Sequence, residues 1–170
     1  MKKKGICLVL VMMLILGMAG STVLAEQRPG SVISTNPLGL LLGVINVEYE
    51  KVLNPGMSFY VAPIVAIWGG VTVLGGRAGV KKYFGPTAPE GFWFGGFGNF
   101  AYVSAGTTVS ATSFGGGANV GYKYFFTDNF SLEASLGLAF IYMSMSVSGY
   151  GYGAGATLAP AGSIGVGYAF

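Results

Sequence analysis

The fold is decided by a short stretch in which large apolar residues alternate with small ones, Ile164-Gly165-Val166-Gly167-Tyr168-Ala169-Phe170. Side chains along a β-strand point to opposite faces with a period of two, so the four large residues share one face. A face this apolar is better suited to lipid than to water. The stretch therefore predicts the last strand of a sheet whose outer face meets lipid.

The other end of the chain has the pattern of a secretory signal peptide. Lys2-Lys3-Lys4 forms a positive segment, residues 6–18 form an apolar run, and Val23-Leu24-Ala25 supplies small residues for cleavage. We predict cleavage after Ala25, which gives a signal peptide over 1–25 and one mature domain over 26–170. The alternative is an uncleaved anchor, but the apolar run is short for a helix that crosses a bilayer.

Cleavage changes the charge balance. The chain has nine Lys and Arg and six Asp and Glu, and three of the basic residues lie in the predicted signal peptide. The mature domain is therefore neutral, and its charge gives no support for nucleic-acid binding. Its sequence contains no cysteine and no histidine, so neither a disulfide nor a thiolate site is available.

The composition is unusual for a water-soluble domain. Only 9% of the residues are charged and 52% are apolar, whereas about a quarter of a typical domain is charged. A transmembrane helix is one alternative, because residues 57–76 carry no charge. However, each of the frequent glycines weakens a helix by about 1 kcal/mol, and the residues between them, mainly Val, Tyr, Phe and Thr, favour strands.

Turn signals divide the mature domain into strands. They lie at Asn54-Pro55-Gly56, at 85–91 with its two prolines, and at Thr127-Asp128-Asn129. The predicted strands are 40–53, 57–68, 71–84, 92–104, 109–126, 130–144 and 150–170. Bacterial barrels have an even number of strands, so residues 31–36 are added as a short first strand, followed by a bend at 37–39. We predict an all-β fold, a closed antiparallel transmembrane β-barrel of eight strands.

Strand parity also predicts an orientation. If both ends of the barrel domain lie in the periplasm, the turns at Asn54, Gly85 and Thr127 are periplasmic, and the short loops at Pro37, Gly69, Ala105 and 146–149 face outward.

Alternation assigns a polar set of side chains to the inside of the barrel. It comprises three acids and three bases, predicted to cluster in the periplasmic half of the lumen: Glu48, Glu50, Arg77, Lys81, Lys123 and Glu133. One interpretation is a polar gate or ion path. The favoured one is a neutral network that fills the narrow interior, in which Glu48 and Glu50 pair with Arg77 and Lys81. Residues 92–103 are apolar on both faces.

Aromatic residues collect near the strand ends, as in the two aromatic belts of membrane barrels. One predicted belt contains Tyr83, Phe84, Trp93, Tyr124 and Phe126, and the other contains Trp68, Tyr102 and Tyr142. The alternative is that these aromatic residues form the core of a soluble sandwich or a lipocalin-like barrel.

The residues give little support for catalysis. Without histidine, the commonest acid–base group is missing, and no serine lies in a nucleophile-elbow pattern. Gly115-Gly116-Gly117 lacks the Lys-Ser/Thr of a phosphate loop. No acidic run has the spacing of an oxygen-ligand metal site. We predict no catalytic residue, no cofactor and no metal.

The mature domain resembles small bacterial outer-membrane β-barrels of the OmpA/OmpX type. It also resembles a group of uncharacterised barrels that open with a segment like Asn36-Pro37-Leu38-Gly39 followed by Val47-Glu48-Tyr49-Glu50. The resemblance implies location in the outer membrane, contact with its lipid bilayer, and insertion by the barrel-assembly machinery. The residues of the C-terminal assembly signal would be Ile164, Val166, Tyr168 and Phe170. Short loops argue against adhesion.

These features predict a non-catalytic integral outer-membrane protein with a structural or interaction role. A second hypothesis is a barrel that binds or conducts a small, apolar molecule, suggested by the apolar inner face of residues 92–103. An enzyme acting on lipids is a third.

Overall fold

The computed structural model of the chain describes residues 30–85 and 87–170. The predicted signal peptide at 1–25 lies outside the described residues, as do residues 26–29 of the predicted mature domain.

The described chain forms eight antiparallel strands and one short helix. In order they are β1 (Ser31–Thr35), α1 (Pro37–Leu41), β2 (Val44–Asn54), β3 (Met57–Trp68), β4 (Val71–Tyr83), β5 (Gly91–Ala105), β6 (Val109–Phe125), β7 (Phe130–Val147) and β8 (Tyr150–Ala169). Each strand pairs with the next, and β1 pairs with β8, so the strands close into a ring. The predicted all-β fold with eight strands, including the short first one, is confirmed. No helix of the described segments is long and apolar enough to cross a membrane.

Polar side chains at the predicted turns fix the hairpins. The Asn54 side chain accepts a hydrogen bond from the Gly56 N–H at 3.1 Å, and the Thr127 hydroxyl accepts one from the Phe130 N–H at 3.0 Å. At the other end of the ring, the tight turn between β3 and β4 uses Gly69 and Gly70, whose φ angles of 58° and 80° favour glycine.

The strand predicted at 40–53 starts later than expected. Residues 37–41 form α1 instead, and β2 begins at Val44. Asn36 caps the helix, because its side chain accepts the N–H groups of Leu38 and Gly39 at 3.0 and 3.1 Å, and Pro37 takes the first helical turn, where it needs no N–H partner.

The register fixes the tilt of the strands. Paired residues form a row around the ring, from Val32 on β1 through Glu50 and Tyr60 to Ala159 on β8. Val32 itself pairs with Ala169, so the row has shifted by ten residues on β8, from Ala169 to Ala159. With about 3.3 Å per residue and about 4.8 Å between strands, this stagger tilts the strands by about 40°. From β1 to β8, each row of paired residues therefore moves along the ring axis, away from the end at which β1 begins.

The two ends of the ring differ in charge. We call the end at which β1 begins and β8 ends the terminal end, and the other the uncharged end. Between the uncharged end and the first charged residue of each strand, the chain contains no Asp, Glu, Lys or Arg, over residues 34–47, 61–76, 98–122 and 134–163. The half of the ring nearer this end, which we call the uncharged half, lies within these segments. Among the charged residues of the described chain, Arg77 lies nearest the uncharged end, and all others lie closer to the terminal end.

The outer face of the ring is apolar. Large hydrophobic side chains that alternate outward are exposed on every strand, among them Ile33, Val47, Phe59, Leu74, Phe94, Phe114, Leu136 and Leu158. Near the terminal end, Phe130 contacts both Phe126 and Tyr168, with ring centroids 6.0 and 5.2 Å away. The exposed surface of the ring is thus the reverse of that of a water-soluble domain.

Three of the predicted belt residues are not on this face. Tyr83 and Trp93 are only 2% and 1% exposed and lie inside the ring, and Trp68 alternates inward at the uncharged end. The prediction grouped aromatics by their distance from strand ends, whereas the odd or even position within each strand decides the face.

Candidate functional site

The pairing of strands brings five predicted residues together inside the ring. Ser58 pairs with Lys81 between β3 and β4, and Lys123 pairs with Glu133 between β6 and β7. β2, which is the neighbour of β3 and lies across the ring from β6 and β7, supplies Glu48 and Glu50. We call Glu48, Glu50, Lys81, Lys123 and Glu133 the charge cluster.

Lys81 lies at the centre of the charge cluster. Its ammonium group donates to Glu48 at 2.7 Å, to Glu50 at 3.0 Å and to Glu133 at 2.8 Å. The side chain is 1% exposed, so these contacts replace the water that a lysine ordinarily keeps. The rings of Tyr60 and Trp93 also lie over the ammonium group, with centroids 5.0 and 4.8 Å away.

Glu50 receives the largest number of donors. Its carboxylate accepts from both Lys81 and Lys123, from the Ser58 hydroxyl at 2.5 Å and from the Tyr83 hydroxyl at 2.6 Å. Lys123 also pairs with Glu133 at 2.7 Å. Ser58 and Tyr83 were not predicted as partners of Glu50. Their inward positions near the terminal end are the sequence signal that could have identified them.

The charge cluster contains a possible oxygen-ligand site that sequence spacing did not indicate. Oxygens of Glu48, Glu50 and Glu133 lie within 4.8 Å of one another. Two lysine ammonium groups already occupy the space between these carboxylates and neutralise two of the three charges. The arrangement is therefore that of a closed ion-pair network rather than that of an open metal site.

Arg77, the sixth predicted residue, lies apart from the charge cluster. It is four residues closer to the uncharged end than Lys81 on the same strand, and its guanidinium carbon lies 4.2 Å from the centroid of the Phe97 ring. Within residues 30–85 and 87–170, no carboxylate lies at ion-pair distance from it, and its Nε–H is buried without an acceptor. The predicted pairing of Glu48 or Glu50 with Arg77 is absent.

An apolar layer separates the two halves of the interior. Tyr60 and Phe97 on one side pack against Ala139 and Ala161 on the other, and all four are at least nine-tenths buried. Together with the charge cluster, this apolar layer fills the terminal half of the ring. Phe97 was predicted only as part of an apolar inner face, and no prediction singled out Tyr60.

The other predicted set lies on the last strand. Ile164, Val166, Tyr168 and Phe170 all point outward and are between 39% and 56% exposed. They share the outer face that the alternation predicted, next to β1. Their role in assembly stays a prediction.

Neither protein-family models nor curated proteins match the chain.

Proposed function

We propose that the protein is a non-catalytic integral β-barrel of a bacterial outer membrane, with a structural or interaction role. The observation that carries this proposal is the distribution of polarity across one closed wall. Large apolar side chains are exposed outside the ring, whereas the charge cluster is enclosed within it. Bilayer lipid is the environment in which this arrangement is favourable.

The height of the apolar face supports the proposal. On β5, the outward residues Phe92, Phe94, Phe100 and Tyr102 are between 41% and 53% exposed. Phe92 and Tyr102 are ten residues apart, which at a tilt of about 40° covers roughly 25 Å along the ring axis. This is about the height of the apolar band of outer-membrane barrels.

The closed state of the charge cluster supports a role without catalysis. The carboxylates of the charge cluster are held by lysine ammonium groups and hydroxyls, so none is positioned as a free general base. In this proposal the predicted signal peptide directs export across the inner membrane. The barrel-assembly machinery and the bilayer are then the partners during insertion.

Membrane fractionation combined with heat-modifiable gel mobility tests the proposal. We expect the protein in the outer-membrane fraction, with unboiled and boiled samples migrating differently, since folded barrels bind less detergent than unfolded chains. A processed chain that is freely soluble without detergent, or whose circular dichroism in micelles is mostly helical, would contradict it.

A second candidate function is the retention or passage of a small apolar molecule. It is favoured by the inner face of the uncharged half, where the large apolar side chains of Trp68, Val109, Met143 and Met145 remain exposed. Retention is favoured over passage because side chains fill the terminal half. A stable single-channel step in planar bilayers that is abolished by Lys81→Glu or Glu133→Lys would instead support passage.

A further inference from the structure

The uncharged half of the interior is an open, apolar cup. A hollow of about 380 Å³ lies against its β7–β8 wall, lined on β7 by Ile141, Met143 and Met145 and on β8 by residues 153–157. Side chains added at Gly153 or Gly155 would meet no atom within 4 Å. The inner face of β8 is therefore unobstructed at these two positions.

The floor of the cup carries one isolated cation. The apolar layer closes the cup towards the terminal end. Arg77 lies beside this layer, two residues nearer the uncharged end than Gly79, which pairs with Tyr60 and Phe97. The Phe97 ring contacts the guanidinium group but supplies no counter-charge. Arg77 Nε and the Oδ1 of its cross-strand neighbour Asn99 are both buried without a hydrogen-bond partner.

No carboxylate of the described residues pairs with Arg77. Arg77 is only partly buried, but its Nε–H is shielded from solvent and has no acceptor, and a buried donor left without an acceptor is costly. The three carboxylates of the interior are all committed to Lys81 and Lys123. The position is thus ready for an anion that enters from the uncharged end.

The distance from Arg77 to the rim suits an extended chain. Arg77 shares a row of paired residues with Ile141, and Met145 lies four residues farther along β7. Because rows rise from β4 to β7, Met145 lies roughly 20 Å above Arg77 along the ring axis. Between them the inner face carries small residues, such as Gly75, Ala101 and Gly115.

We propose that the cup binds a single-chain amphiphile with an anionic head group, such as a long-chain carboxylate. The head group accepts hydrogen bonds from Arg77, and the acyl chain lies along the apolar wall towards Met143 and Met145. An inorganic anion would not use the apolar wall, and a neutral hydrocarbon would leave Arg77 unpaired. This inference deepens the second candidate function, the retention of a small apolar molecule, and rests on it. It also requires that the cup is open at the uncharged end.

Quenching of Trp68 by brominated palmitate tests the proposal. Trp68 alternates inward at the uncharged end and is 48% exposed, and a Trp93→Phe background leaves it as the single tryptophan in the mature domain. The protein is folded in zwitterionic phospholipid vesicles and titrated with the carboxylate or with the matching brominated alcohol. We expect saturable quenching by the carboxylate, with affinity about tenfold or more above that of the alcohol.

Variants separate the head-group contact from the space for the chain. Arg77→Gln should lower the affinity for the carboxylate by about tenfold and leave that for the alcohol unchanged, whereas Arg77→Lys should retain part of it. Gly155→Phe should weaken binding of both probes by filling the cup. Gly151→Phe is the matched control, because Gly151 pairs with Ser146, on the face opposite to Met145, and also has open space.

Two outcomes would overturn the inference. One is equal affinity for carboxylate and alcohol in the wild type and in Arg77→Gln. The other is carboxylate binding that Gly155→Phe does not change. Heat-modifiable mobility is measured on every variant, so a folded bilayer protein that fails to bind refutes only this inference. A water-soluble chain that still binds through Arg77 refutes only the membrane proposal.

Discussion

At Glu50, four donors converge on one buried carboxylate. Two are ammonium groups and two are hydroxyls, and the side chain is 1% exposed. Removing a carboxylate from water costs several kcal/mol, and only dense pairing offsets this cost. The members of the charge cluster therefore depend on one another, and loss of a cation should be more damaging than loss of an exposed lysine.

We predict that Lys123→Met destabilises the folded protein by about 3–5 kcal/mol. The substitution leaves three carboxylates around the single ammonium group of Lys81. Urea unfolding in phospholipid vesicles, followed by tryptophan fluorescence, measures the effect. Lys82→Met is the control, because Lys82 is exposed on the outer face, and its free energy of unfolding should change by less than about 0.5 kcal/mol.

Addition of Glu133→Gln to Lys123→Met tests the coupling itself. Since the two residues are paired at 2.7 Å, removing the excess carboxylate should recover part of the lost free energy of unfolding. Strictly additive effects of the two substitutions would mean that the charges do not interact energetically.

Which inner residues touch one another could be predicted only in part. Alternation is enough to place Glu48, Lys81 and Arg77 inside, because it depends only on odd or even position. Contact across the interior depends also on the ten-residue stagger, which is set by the pairing of β8 with β1. Arg77 and Lys81 have the same parity, yet they lie four residues apart along β4 and reach different layers.

Among the strands, the inward glycines of the terminal half make room for large neighbours. An added Cβ at Gly121 would come within 2.6 Å of the Trp93 ring, which is 1% exposed and cannot shift into water. We predict that Gly121→Ala costs about 1–3 kcal/mol in the free energy of unfolding. Gly155→Ala, at an inward position with open space, should change it little, and equal losses in both variants would contradict this role of the glycines.

The strands were predictable because polar turn residues separate them. β3 has the predicted bounds, and β4, β6 and β8 end within one residue of the prediction. The missed element is α1, since only the single residue Gly43, with a φ of 76°, separates the apolar run of Leu40, Leu41 and Leu42 from β2. Asn36 followed by Pro37 is a helix-start signal that would have identified α1.

For the whole ring, the environment of the outer wall can be measured with one charge. Leu136 points outward, is 69% exposed and lies near the middle of the apolar face. In a bilayer, Leu136→Arg should cost about 2–4 kcal/mol, the value for arginine near the midplane. Leu41→Arg is the control, because Leu41 lies on α1 beyond the strands and is 83% exposed. If water were the surrounding medium, Leu136→Arg would be no worse than this control.

Closure of the interior should also be visible as a lack of conductance. The apolar layer and the charge cluster fill the terminal half, so we expect no stable single-channel steps from the wild-type protein in planar bilayers. Removing the two large side chains of the apolar layer in Tyr60→Ala/Phe97→Ala should open a path beside the cluster and produce ion current. Phe59→Ala/Phe100→Ala removes two outward rings from the same strands and is the matched control, expected to stay closed. Single-channel steps of equal size in the wild type and in both double variants would show that ions cross by another route. The apolar layer and the charge cluster would then not be what closes the interior.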